Sequence, residues 1–181
     1  MYEICTETPD DEPEVEALYD LCFAPGRTAL SSYRLREGVP RVADLCLLLR
    51  GEGGSLQAAI RYWPARIGAH RVLLLGPIAV HPIAQGEGLG ALLMRDSLAR
   101  AARAGWERVL LVGDAPYYSR FGFTRLDHVE MPPPTNPDRV LGLELCEGAW
   151  VDVAGPVTRA DTAAPPAGLA QGGPVRHIDR T

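Results

Sequence analysis

Apolar residues recur along the chain at two different spacings, and each spacing assigns an element. Tyr2 to Thr6 alternates as a half-buried strand does. Behind it, Asp10, Asp11 and Glu12 stand before Pro13, a helix start with caps, a proline in the first turn and acids at the positive end of the dipole. Val15, Leu18, Tyr19 and Cys22 then follow at i, i+3, i+4 and i+7, which predicts a helix with one buried face. A second, short helix is predicted from Ser31 to Glu37.

Strand patterns come next in series. Val42 to Arg50 and Leu56 to Trp63 are separated by G-E-G-G, a hairpin turn. Arg71 to Val80 is rich in Leu, Val and Ile but carries Gly76-Pro77 in its middle; proline removes a ladder donor, so this predicts a bulge or broken pairing. The pattern then turns helical: Gly90, Leu93, Met94, Ser97, Leu98 and Ala101 share one face, Arg95, Asp96, Arg100 and Arg103 the other, and Gly105 closes the helix. Arg108 to Val112 completes a strand–helix–strand unit, which predicts a right-handed parallel crossover. Pro116 to Phe121 reads as a short helix and Arg139 to Glu144 as a late strand. The predicted class is α/β, a mixed sheet with helices on both faces.

From Gly155 onward the apolar period is lost and Gly, Pro and Ala dominate. The expectation is one domain over residues 1–154 and a disordered or loosely packed tail over 155–181. At 181 residues one domain is the default, enough to bury roughly 70% of the unfolded surface.

Composition changes this picture mainly by exclusion. All 18 basic residues other than histidine are arginine, so the chain has no lysine. P-loop phosphate binding, kinase-type transfer and Schiff-base chemistry all need one. A net charge of −5 excludes duplex nucleic acid and anionic membranes as expected partners. The acidic N-terminus is not a signal peptide, no apolar run could span a bilayer, and a cytoplasmic monomer or homodimer is expected. Four scattered cysteines and four scattered histidines give no metal site. Eight carboxylates precede the first arginine, either a solvated helix face or a field that attracts an amine.

The chemistry concentrates at V-H-P-I-A-Q-G-E-G-L-G, Val80 to Gly90. A glycine-rich turn running into a helix N-terminus directs unpaired amides at one point, and so binds phosphate without lysine; without a ligand it is simply a tight left-handed turn. Gly86, Gly88 and Ala91 fit the dinucleotide fingerprint G-x-G-x-x-A, with Asp114 ahead on the next strand. Against an NAD(P)-binding Rossmann unit stand the residues between Val80 and Gly86, the mid-chain position behind a hairpin, and the short remainder of the chain.

V-x-P-x-x-Q-x-x-G-x-G, filled by Val80, Pro82, Gln85, Gly88 and Gly90, resembles the acyl-CoA signature of the GNAT superfamily of N-acetyltransferases. Y-S-R-F-G-F, Tyr118 to Phe123, resembles that family's Y-x-x-x-G-F element, and the order of elements is similar from Met1 to about Trp150. The resemblance implies a mostly antiparallel central sheet with one parallel unit, and acetyl transfer from acetyl-CoA, as co-substrate and without metal, by direct attack of a small-molecule or peptide amine. It implies that the amides of Gln85, Gly86, Glu87, Gly88, Leu89 and Gly90 hold the pyrophosphate. Ile78, Ala79 and Val80 would pair with the pantetheine arm, and the Val80 N–H would meet the thioester carbonyl. Tyr118 would be the general acid for the departing thiolate, with Tyr117 pointing elsewhere. His81 and Glu87 are poor candidates for a base, and none is assigned. Asp114 stands only four residues before Tyr118, where many members carry Asn with a longer connection, so no CoA contact is assigned to it. A non-catalytic CoA-binding sensor is the rival from another class.

Overall fold

The computed structural model describes residues 2–160. Its main sheet runs in the order β1 (Glu3–Thr6), β2 (Leu47–Arg50), β3 (Leu56–Ile67), β4 (His70–Val80), β5 (Arg108–Val112), β8 (Val140–Glu144) and β6 (Thr124–Arg125). Every pairing along that path is antiparallel except β4 with β5. The sheet is therefore mostly antiparallel, as the family resemblance implies. The dinucleotide-binding alternative drops out, because β5 is followed by an antiparallel return and not by a second parallel crossover.

Side-chain alternation gives the sheet two different faces. On one, Leu47, Leu49, Ala58, Ile60, Tyr62, Leu73 and Leu75 pack beneath α3 (Leu89–Arg103), whose buried stripe includes Leu93, Met94, Ser97 and Ala101. Buried Tyr62 and Ser97 hydroxyls share a hydrogen bond of 2.8 Å across that interface. On the other face, α1 (Glu12–Phe23) lays Val15, Leu18 and Tyr19 over Leu48, Ala59 and Ala79.

Several boundaries move relative to the sequence pattern. The predicted strand from Val42 begins only at Leu47, because Ala43–Leu45 closes a 3-10 turn. The second helix shortens to α2, Ser31–Arg34. The short helix near Tyr118 is α4 (Ala115–Tyr118) followed by a 3-10 turn, Ser119–Phe121. Two short strands, β6 and β7 (Val129–Glu130), had too few residues to show a period.

The tail boundary needs correction. Gly155–Arg159 forms β9, antiparallel to the far end of β3 and parallel to β7. β3 outruns β2, whose register ends at Ile60, and leaves Ala65, Arg66 and Ile67 an open edge that β9 fills. Gly155 and Pro156 disguise this strand as a breaker, yet proline is tolerated where pairing is short and peripheral. The rest of the predicted tail, from 161 on, lies outside the described residues.

The N-terminal acids are not all solvated: Glu3, Asp10, Glu12 and Glu14 are exposed, but several of the group pair with arginines. Glu7, whose side chain is fully buried, accepts from Arg61 Nε at 2.8 Å and Nη2 at 2.6 Å and pairs with Arg41 at 3.2 Å. Glu16 bridges Arg61 and Arg27, and Asp11 and Glu14 share Arg50. Breaking a buried pair on one side costs about 3–5 kcal/mol, because the other charge is left uncompensated. Arg61→Met is therefore expected to lower unfolding free energy by about 3 kcal/mol in urea titrations. Adding Glu7→Leu should recover a large part of it, and a double variant no better than the single would contradict this account.

Candidate functional site

β4 is the element on which the site is built. Pairing with β3 runs Tyr62 to Leu75 on one side of an irregularity and Ile60 to Ile78 on the other, so Gly76 and Pro77 together oppose Arg61. This is the predicted bulge. Gly76 has φ +126°, a conformation that side chains rarely adopt. Beyond the bulge, the His81 N–H donates to Gln57 O at 2.7 Å. In an antiparallel ladder such bonded pairs alternate with unbonded ones, so Ile78 and Val80 turn their N–H and C=O groups away from β3.

They face a gap. β4 and β5 are paired at Leu73–Val109 and Leu74–Leu110, before the bulge. Past it, a cavity of about 280 Å³ opens between Gly76, Ile78, Val112 and Tyr118. A second, of about 510 Å³, continues along Val80 to Gln85, Gly86, Gly88 and Gly90. The two meet at Phe23 and Ile78. Ala79 has the opposite parity: its methyl packs with the α1 cluster and its N–H turns toward β3.

The glycine turn is left-handed at Gly86, φ +89°, and at Gly88, φ +81°, which caps α3. Nothing lies within 4 Å of where either residue's Cβ would sit, so the space above the turn is open. The Leu92 N–H bonds back to Gly88 O, so Leu89, Gly90 and Ala91 precede the helical ladder and keep open N–H groups. Gln85 differs from its neighbours: its N–H is directed at Pro82 O, 3.5 Å away, and its side-chain amide donates to Val80 O at 3.2 Å. Glu87 accepts a hydrogen bond from the Tyr2 hydroxyl, which ties the N-terminus to the turn.

Tyr118 is set by its neighbours. Its ring lies edge-on to Tyr117 and Phe123, and a Cβ on Gly113 would come within 2.3 Å of its Cε2. Burial, reinforced by Tyr117 and Asp114, pushes its phenol up to about 12. Tyr117 does not point away from the site. It lines the larger cavity, and its hydroxyl lies 3.2 Å from the Cβ position of Gly90. Asp114 faces the smaller cavity and pairs with Arg139 at 3.2 Å. His81 Nδ1 accepts from the Ile83 N–H, outside both cavities.

Two further residues carry no motif. Arg120 lines the larger cavity with its guanidinium over Tyr117, 4.4 Å from the ring centre, and is the one cation among the described residues that line it. Cys22 lines the same cavity and donates its thiol to Val80 O at 3.4 Å. Cys22 belonged to the predicted helix stripe and Arg120 to Y-S-R-F-G-F, but neither spacing signals a role in the site.

An acetyltransferase (GNAT) domain model matches residues 44–125, from the start of the hairpin through the glycine turn and Tyr118. The chain is 28% identical to the uncharacterized N-acetyltransferase YhbS of Escherichia coli K12 over 130 residues, 71% of this chain and 77% of that one. The solved structure of E. coli YhbS with CoA superposes with a TM-score of 0.76 at 25% identity, covering 88% of this chain and 89% of the other. A GNAT family acetyltransferase of Brucella melitensis with acetyl-CoA gives a TM-score of 0.62 at 26% identity, over 80% and 88%.

The packing of Tyr118 can be tested directly. In Gly113→Ala the added methyl must displace the ring, and the phenol is expected to titrate closer to its ordinary value of 10 than to 12. An NMR titration of ¹³C-labelled tyrosine would read this, and an unmoved value would show the ring is not held by that contact.

Proposed function

We propose that the chain is an N-acetyltransferase of the GNAT superfamily, a reading supported by the domain match over residues 44–125 and the likeness to YhbS, and that it transfers an acetyl group from acetyl-CoA to an amine by direct attack within a ternary complex. The observation that carries this reading is the open edge of β4 beyond its bulge, joined at one end to a glycine turn and at the other to a half-buried tyrosine.

In this reading the open amides from Gly86 to Ala91 hold the pyrophosphate, and the helix dipole supplies the potential that lysine cannot. Arg120 adds a charge at the mouth. The N–H and C=O groups of Ile78 pair with the pantetheine amides as a neighbouring strand would, the Val80 C=O being held by Gln85 and Cys22, and Ala79 forms the floor between them. The Val80 N–H meets the thioester oxygen, where a preorganised donor is worth about 3–4 kcal/mol as charge develops. The amine nitrogen attacks the carbonyl carbon, a C–N bond forms, and the C–S bond breaks. Sulfur takes its proton from Tyr118, and the nitrogen gives up one proton, so the phenol is restored on balance.

A phenol pushed up to about 12 suits a proton donor. The acid must be protonated to act, and a raised value extends that protonated range upward. Turnover is therefore expected to show no alkaline fall from this group below about pH 11.

Acetyl-CoA at 100 times its dissociation constant should stabilise the protein by about 2.7 kcal/mol, a melting shift of roughly 5–10 °C. Tyr118→Phe should keep that shift yet lose about 100-fold in thiol release; unchanged release would remove Tyr118 from the mechanism. Gly88→Ala forces a side chain into φ +81°, a strain of about 1–2 kcal/mol that should cost roughly tenfold in acetyl-CoA affinity. Binding without release on any amine would leave a CoA sensor instead of an enzyme.

A further inference from the structure

The smaller cavity contains a charge that the acetyl-transfer reading does not use. Arg36 follows α2 and lines that cavity across from Tyr118. Its guanidinium is stacked between Tyr33, 4.2 Å from the ring centre, and Trp63, at 4.8 Å. Nε and Nη1 are buried with no hydrogen-bond partner among the described residues. No carboxylate there lies within ion-pair distance of it. Nη2 reaches the bulge, 3.5 Å from where a Gly76 Cβ would sit, so the missing side chain leaves it open to the cavity.

The other arginines of this cavity are committed. Arg27 is held by Glu16, Asp20 and the Tyr33 hydroxyl, and Arg139 by Asp114. A buried guanidinium short of an anion is costly unless a ligand supplies one, and burial accordingly depresses the charged form of Arg36 while leaving it cationic at neutral pH. One uncompensated positive charge matches one negative charge. A planar fork of N–H donors matches a carboxylate in particular, whereas a phosphate dianion would call for a second free cation.

We propose that the acceptor is an amine that carries a carboxylate, and that Arg36 binds this carboxylate while the amine lies toward Tyr118. This rests on the acetyltransferase reading above and names its substrate class. The carboxylate has two sources: the α-carboxylate of a free amino acid, or the acidic side chain at the N-terminus of a peptide.

The test compares thiol release from acetyl-CoA with free amino acids, with their α-amides, and with amidated peptides that begin in Asp or Glu. Carboxylate-bearing amines should exceed their uncharged counterparts at least tenfold in kcat/KM, chiefly through KM. The amino-acid and peptide arms identify the source. In Arg36→Gln the advantage should collapse, and Arg36→Lys, a point charge without the fork, should keep part of it. An acetyl-CoA melting shift equal to that of the unaltered chain shows that each variant is folded. Equal use of acids and amides, or an acid preference that survives Arg36→Gln, would overturn the proposal.

Calorimetric titration of the amino acids into the protein–CoA complex reads the carboxylate site without turnover. Binding that disappears in Arg36→Gln sustains the site even if no thiol is released, in which case only the acetyltransferase reading fails. No binding by any acid overturns the site itself.

Discussion

Gly76 and Pro77 of β4 stand opposite the single residue Arg61 of β3, and this surplus of one residue sets the parity of everything that follows in the strand. Before it, Leu73 and Leu75 face α3; after it, Ile78 and Val80 do, where an unbroken strand would present Pro77 and Ala79. Side-chain direction and amide direction are coupled in a pleated strand. The same shift therefore brings the Ile78 and Val80 amides to the edge where β5 has already diverged. Without the surplus, those amides would be spent on the ladder.

The surroundings are organised to hold that irregularity in place. Tyr19, fully buried on α1, donates its hydroxyl to Pro77 O at 3.3 Å. Arg61, opposite the bulge, is gripped by Glu7 from the end of the first strand and by Glu16 from the same helix. The N-terminal acids thus act at a distance from the cleft, by fixing α1 against the one place where β4 departs from regular pairing. Of these acids, Glu7, Asp11, Glu14 and Glu16 meet their arginines within the chain.

Much of this was legible in the sequence because it depends on local rules. A proline in an apolar run announces a broken ladder, and three glycines between a strand and an amphipathic helix announce open amides. Tyr118 was legible only through resemblance, since no spacing rule distinguishes it from Tyr117. What the pattern could not show depends on long-range pairing. β9 exists because β2 ends early and leaves an edge on β3, which is a property of two other strands. The ion pairs of Arg61 and Arg27 join residues far apart in the chain, so the acids among them read as ordinary solvated residues.

The same reasoning separates two arginines that the sequence leaves equivalent. Arg61 stands opposite the bulge on β3 and Arg36 reaches it with Nη2, and both stack on aromatic rings. Arg61 has its carboxylates within the chain and serves the fold. Arg36 has aromatic faces but no anion among the described residues, and stacking on a ring compensates a buried cation only in part, by about 0.5–2 kcal/mol. Among the described residues, acids surround one guanidinium and none meets its neighbour, which stands at the wall of a cavity beside a half-buried phenol; that difference is what the proposed carboxylate would answer.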